Sequence, residues 1–153
     1  MNIIIIILTF TLFITSKGYS ATSISIIGAC TDAPLHQEFY SEVPEGWSIG
    51  DLTINFLDAN QIPYIGSIES IGEIESIPTE EHELIVISNE EMLAYGWCYK
   101  VNGFAPEEYP HKVMVLPGDK IVWYFAYSRY LKQRWVSQCV PSFQSPRQEF
   151  CKP

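Results

Sequence analysis

An even set of four cysteines, Cys30, Cys98, Cys139 and Cys151, follows an apolar N-terminal segment, and this combination constrains the chain more than anything else in it. Ile3 to Ile14 form an apolar run broken only by Thr9 and Thr11, too short for a bilayer-spanning helix, which needs about 20 residues. The run reads as the core of a signal peptide. Gly18 and Ser20 supply the small residues that a signal peptidase needs ahead of a cut before Ala21, so residues 1–20 are assigned to the leader. The exported chain, periplasmic or extracellular, has no predicted transmembrane segment.

Export places the cysteines in an oxidising compartment, where an even count predicts two disulfides. Three pairings are open to four cysteines. Cys139 and Cys151 enclose only eleven residues, rich in Pro, Ser and Gln, which favours a local clasp and leaves Cys30 for Cys98. None of the four has a second cysteine within four positions, so neither a zinc site nor any other metal is expected. Ile27-Gly28-Ala29-Cys30 has the form of a lipoprotein box, but it stands well beyond the apolar run that such boxes adjoin, and lipid anchoring is not expected.

Charge is unevenly laid out. The 153-residue chain carries a net charge of −9, which disfavours nucleic acid as a partner, since such binding draws on Lys and Arg at phosphates. Sixteen acidic residues and one base, Lys100, lie between Asp32 and Glu108, whereas seven bases and two acids follow from Lys112. The two blocks are expected to meet on one surface of a single domain. A hydrophobic share of 47% supplies enough apolar side chain for one core.

Periodicity points to short strands with one helix. Ile24 and Ile26 alternate with Ser23 and Ser25 in a half-buried first strand, and Gln37 to Val43 suggests a second, joined to it by a hairpin around Asp32-Ala33-Pro34. Ser48 is a good N-cap with Asp51 in the capping-box position, and Ile49, Leu52, Thr53, Phe56 and Leu57 recur at helical spacing before Pro63. Ile65 to Ile77 reads as strand or irregular extended chain because Gly66, Gly72 and many β-branched residues oppose a helix. Leu84 to Ile87 is a strand after the acidic turn Glu80-Glu81-His82-Glu83, and Asn89 to Leu93 a loop or one helical turn. Trp97, Tyr99 and Val101 share one strand face ahead of an Asn102-Gly103 turn. Val113 to Leu116 and Ile121 to Tyr127 complete the set, around Pro117-Gly118-Asp119.

Gly96-Trp97-Cys98-Tyr99-Lys100-Val101-Asn102-Gly103, followed by Leu116-Pro117-Gly118-Asp119-Lys120-Ile121-Val122-Trp123-Tyr124, resembles the paired signature of transcobalamin-like C-terminal domains. Val43-Pro44-Glu45-Gly46-Trp47-Ser48 ahead of the helix is similar to the strand, Gly-rich turn and helix of that family. The resemblance covers residues 22 to 127. It implies an α+β fold: a small β-grasp-like domain with a mixed sheet of about five or six strands and one main helix, in agreement with the elements read directly. Residues 21–127 form that domain, and residues 128–153 a cysteine-containing tail, held by a disulfide and packed on it. In the family's vertebrate members this domain covers one face of a cobalamin held against a separate helical barrel, which this chain lacks.

The simplest role for Trp97, Tyr99, Val101, Ile121, Trp123 and Phe125 is the buried face of a sheet. An alternative is an aromatic platform for a planar or apolar ligand, with the opposite face, Val122, Tyr124 and Ala126, equally eligible. The candidate ligand-binding set is therefore Trp97, Tyr99, Asn102, Gly103, Trp123 and Tyr124. Catalysis is not expected: His36, His82 and His111 are dispersed, and no nucleophile elbow, zinc-helix motif or phosphate loop occurs. Glu107 and Glu108 near His111 are the nearest thing to an acid/base group. The expected function is non-catalytic recognition of a small molecule, cobalamin being one such ligand and no other cofactor being implied, or of a partner protein. A structural envelope or surface protein without a small ligand is the alternative.

Overall fold

The computed structural model describes residues 20–151. The leader assignment therefore lies outside the described residues, apart from its last position, Ser20. Eight strands and one α-helix follow in the order β1 (Thr22–Ile27), β2 (Pro34–Tyr40), α1 (Ile49–Ala59), β3 (Tyr64–Ser67), β4 (Ser70–Ile74), β5 (Leu84–Ser88), β6 (Glu91–Val101), β7 (Lys120–Leu131) and β8 (Arg134–Pro141). The fold is α+β, with a mixed six-stranded sheet in the order β2-β1-β7-β6-β5, β8 pairing β7, and a separate β3-β4 hairpin.

The sheet is organised by β7. Its whole length pairs antiparallel with β6, from Val101↔Ile121 to Glu91↔Leu131. Its other edge is shared: β1 lies parallel along Lys120 to Tyr124, and β8 antiparallel along Ala126 to Leu131. The central parallel pair, with the β1-β2 hairpin on one side and the helix crossing one face, is the β-grasp arrangement.

α1 forms where the sequence marks it. Ser48 Oγ accepts from the Asp51 amide at 3.1 Å, and Asp51 Oδ2 accepts from the Ser48 amide at 2.9 Å, closing a capping box. Ile49, Leu52, Thr53, Phe56 and Leu57 are buried and face β1, β4, β6 and β7, where Ile24, Ile26, Ile71, Ile74, Tyr99, Ile121 and Trp123 complete the larger core.

Eleven helical residues span about 16 Å, whereas β7 runs for about 40 Å, so α1 covers only part of its face. The remainder is covered by the C-terminal segment. Phe150, with Ala29, Tyr95 and Phe125, makes a second cluster on the same face, and Trp97 packs against both. β7 runs through residue 127 without a break, and the segment read as a tail gives β8 to the main sheet before turning beneath it.

The disulfides join Cys30 to Cys151 and Cys98 to Cys139, which corrects the expected local clasp of Cys139 to Cys151 and the pairing of Cys30 with Cys98. Cys139, at a φ of 50°, stands at a bulge of β8 where the register with β7 slips. That bulge brings it to Cys98 of β6, Cα to Cα 5.9 Å, whereas Cys151 follows Phe150 to the other side of the sheet and meets Cys30 just past β1. Proximity in sequence was overridden by the long β7-β8 hairpin.

Other expectations also shift. The second strand begins at Pro34 and ends at Tyr40, and Asn89-Glu90 is a hairpin loop directly entering β6 rather than a helical turn. Val113 to Leu116 forms no strand, because Pro110 and Pro117 bracket it. One isolated bridge, Ser48 to Met114, ties it to the start of α1.

Candidate functional site

The six candidate residues do not converge on one site. Trp97, Tyr99 and Trp123 share the helix-covered face, Tyr124 points to the opposite one, and Asn102-Gly103 turns the chain at the end of β6. Tyr99 and Trp123 are 9% and 2% exposed and stack at 5.3 Å between ring centroids.

Each polar atom of these aromatic rings has an internal partner. Trp97 Nε1 donates to the Ile77 carbonyl at 2.7 Å, and Trp123 Nε1 to Thr53 Oγ1 at 2.9 Å. The Tyr99 hydroxyl donates to the Glu108 carbonyl at 2.6 Å, and that of Tyr124 to the Cys139 carbonyl at 3.3 Å. Burial pushes both phenols above the ordinary tyrosine range, and the Glu108 charge adds to it at Tyr99. Lys100 Nζ lies 4.8 Å from the Tyr124 ring centroid, a cation–π contact. These groups are committed to the fold.

The turn residues are committed too. Asn102 has a φ of 54° and Gly103 one of 86°. Asn102 Nδ2 donates to Asp119 Oδ1 at 2.8 Å, its Oδ1 accepts from the Lys120 amide at 2.9 Å, and Asp119 Oδ2 accepts from the Leu116 amide at 2.8 Å. The Asn-Gly and Gly-Asp motifs thus form one hydrogen-bonded joint between β6 and β7.

The same joint shapes one wall of a well-lined concavity. Leu116 and Pro117 on one side face Val43, Pro44 and Glu45 on the other across a groove of about 700 Å³, at the end where β1 and β7 begin. The Val115 amide donates to the Trp47 carbonyl at 2.9 Å, and the Ile49 amide to the Val113 carbonyl at 2.8 Å, so both walls are pinned to the start of α1. Met114 and Leu116 are 48% and 63% exposed, unusual for residues on a fixed wall. Glu42 and Glu45 add acidic groups to its lining, and Ser20 is among the lining residues. The sequence places Val43 at the end of one strand and Val113 to Leu116 in another, with turns at Pro44 to Gly46 and at Pro117-Gly118-Asp119, and marks neither stretch as a site. The two Pro-flanked apolar stretches, Val43-Pro44 and Leu116-Pro117, were the signal available.

A second, smaller hollow of about 260 Å³ lies over Trp97 and Tyr99, bounded by Glu69, Glu107 and Tyr109. Glu107, Glu108 and His111 do not assemble into an acid/base pair: the Glu108 carboxylate lies 3.8 Å from Lys112, and the His111 ring stacks on Tyr109 at 6.0 Å. His36 meets Glu75 at 2.9 Å and His82 meets Thr79 at 2.8 Å, each in a separate place. Among the described residues no group of three or more His, Cys, Asp or Glu side chains is placed to hold a metal ion. Among them, too, no helix is long and apolar enough to cross a membrane.

No family model matches this chain, and no curated protein matches it. Among solved structures, one from Ruminococcus gnavus described as a "putative metal binding protein" is similar over 69% of this chain and 95% of its own, at 9% identity and a TM-score of 0.41.

Proposed function

We propose that this chain is an exported, non-catalytic binding module of the transcobalamin-like C-terminal type, with its ligand seat in the groove between Val43–Glu45 and Met114–Pro117. The observation that carries this reading is the contrast between two sets of side chains. The motif aromatics have spent their polar atoms internally, while Met114 and Leu116 stay exposed on a rigid wall beside two carboxylates. A groove of about 700 Å³ falls in the range of small-molecule sites, roughly 300–1,000 Å³.

The chemistry of the lining selects the ligand class. An apolar body would cover Val43, Leu116 and Pro117, and a hydrogen-bond donor or cationic group would meet Glu42 or Glu45. A cobalamin-like molecule, with an apolar macrocycle edge and amide donors, suits this arrangement with one of its faces only.

Calorimetry on the oxidised exported protein tests the reading directly, with cobalamin as the probe. Saturable binding that Leu116→Asp weakens at least about tenfold is expected, since a leucine side chain covered by the ligand contributes about 1.5–3 kcal/mol of apolar contact. Trp123→Phe, remote from the groove, should leave it unchanged. A folded protein that takes up no cobalamin would overturn the corrinoid form of the reading, and a stably co-purifying protein would replace it with a partner-binding or envelope role.

A further inference from the structure

We propose that the outer edge of β6 from Trp97 to Tyr99 is a seat for a short, extended, cationic segment of a partner protein, which pairs with it as an added strand. β6 is eleven residues long, but β5 lies along only its first part, from Ser88↔Glu91 to Leu84↔Ala94. Just past Ala94 the Tyr95 amide donates to the Glu83 carbonyl at 2.8 Å, on the side of β6 away from β7. At the far end of the strand the Val101 amide donates to the Phe104 carbonyl at 2.8 Å. Main-chain groups alternate between the two sides of a strand, so those of Trp97 and Tyr99 point the same way as those of Tyr95 and Val101. Among the described residues, none donates to or accepts from the main chain of Trp97 or Tyr99 on that side. Two amides and two carbonyls are therefore open in a strand whose ladder with β7 runs from Glu91 to Val101 without a register break.

The open stretch forms part of the hollow of about 260 Å³ over Trp97 and Tyr99, which Glu69 and Ser70 of the β3-β4 turn and the loop from Ala105 to Pro110 also line. These parts are fixed in place. The Tyr99 hydroxyl holds the Glu108 carbonyl at 2.6 Å, Trp97 Nε1 holds that of Ile77 at 2.7 Å, and Ile71, 5% exposed, anchors the β3-β4 turn in the core. A seat formed in advance leaves the ordering cost to the incoming segment alone.

Charge identifies the occupant. Every charged side chain in the lining is acidic: Glu69, Glu107 and Glu108. Glu108 faces Lys112 at 3.8 Å, whereas Glu69 and Glu107 have no ion-pair partner among the described residues. Lysine or arginine side chains on the segment meet these two carboxylates, and an acidic segment is repelled by them. The closures at Tyr95 and Val101 limit the new ladder to the stretch between them, so the segment is short. Its residues opposite Trp97 and Tyr99 each exchange an N–H and a C=O with β6, the usual chemistry of strand addition. The seat lies apart from the groove at Val43–Glu45 and does not depend on it.

Amide-resolved NMR with hydrogen exchange on the oxidised exported protein tests this, with the synthetic peptide acetyl-Lys-Val-Lys-Val-Lys-amide as the probe. In the free protein the Trp97 and Tyr99 amides should exchange at least about tenfold faster than those of Gly96 and Cys98, which face β7. Added peptide should shift and slow both amides, and salt should weaken its binding. The fully N-methylated peptide, with the same charge and no backbone donors, should bind at least about tenfold more weakly. So should the parent peptide to a Glu69→Lys, Glu107→Lys double variant, changed only at exposed positions, while far-ultraviolet circular dichroism stays the same. Trp97 and Tyr99 amides as protected as their neighbours in the free protein overturn the proposal, as do unshifted amides at millimolar peptide. Binding indifferent to N-methylation, or to the double variant, overturns it as well.

Discussion

Asn102 holds two strands at once, because its left-handed backbone makes the turn while its amide reaches Asp119 and the Lys120 amide. Asn102→Ala is expected to cost about 2–3 kcal/mol, from two lost hydrogen bonds and a side chain that tolerates positive φ poorly. Asn102→Gly, which relaxes the backbone but also loses the bonds, should cost less, and guanidinium midpoints of the two variants separate the contributions. The turn itself was legible from the Asn-Gly pair. Its bond to Asp119 was not, since nothing in a local pattern tells which of several acidic residues will arrive beside it. Gly50 shows the same limit with the opposite sign. In an open helix Gly→Ala stabilises by about 1 kcal/mol, but here an added methyl would run into the Ile68 carbonyl oxygen of the β3-β4 hairpin. Gly50→Ala is therefore expected to lower the melting temperature.

At the scale of elements, α1 was fully marked by its cap and its apolar spacing, and the cap makes it sensitive to acid. The Ser48 hydroxyl and then its amide donate to the Asp51 carboxylate and hold its carboxyl below the usual value of 3.8. A carboxyl depressed in the folded state contributes stability that is fully present above its unfolded pKa and is lost as pH falls through the lower folded one. Melting temperatures followed from neutral pH down to about 2 should decline less steeply in Asp51→Asn than in the parent. The hairpin between β7 and β8 was not legible at all, for a physical reason. Lys132 and Gln133, at φ of 49° and 65°, make a two-residue turn with both central residues left-handed, a place where Asn-Gly is the usual signal. Strand pairing on both sides imposes the turn against local preference. Replacing Lys132-Gln133 by Asn-Gly should accordingly raise stability by about 1–2 kcal/mol, measured by the shift in denaturant midpoint.

For the whole molecule the decisive relation is between the length of β7 and the length of α1. A helix too short for the sheet leaves apolar surface around Tyr95 and Phe125, and the last turn of the chain supplies the cover. Phe150 is 5% exposed, with its ring 4.7 Å from Tyr95 and 4.9 Å from Phe125, and Cys151 beside it is bonded to Cys30. That four cysteines would form two disulfides, and the fold class, were legible from an even cysteine count and from local periodicity. Which cysteines pair depends on where the tail is drawn by this uncovered surface, and no spacing rule carries that information. If the surface is what draws the tail, the disulfide and the aromatic contact depend on one another. Removing the bond with Cys30→Ser and Cys151→Ser, which opens a link across 121 residues, should cost about 4–5 kcal/mol, and Phe150→Ala alone about 3–4 kcal/mol. In the chain without the bond the tail is undocked for part of the time, so Phe150→Ala should there cost at least about 1 kcal/mol less, a coupling that a double-mutant cycle reads directly. Equal costs in the two backgrounds would mean that the ring seats itself unaided and that the disulfide acts only on the unfolded chain.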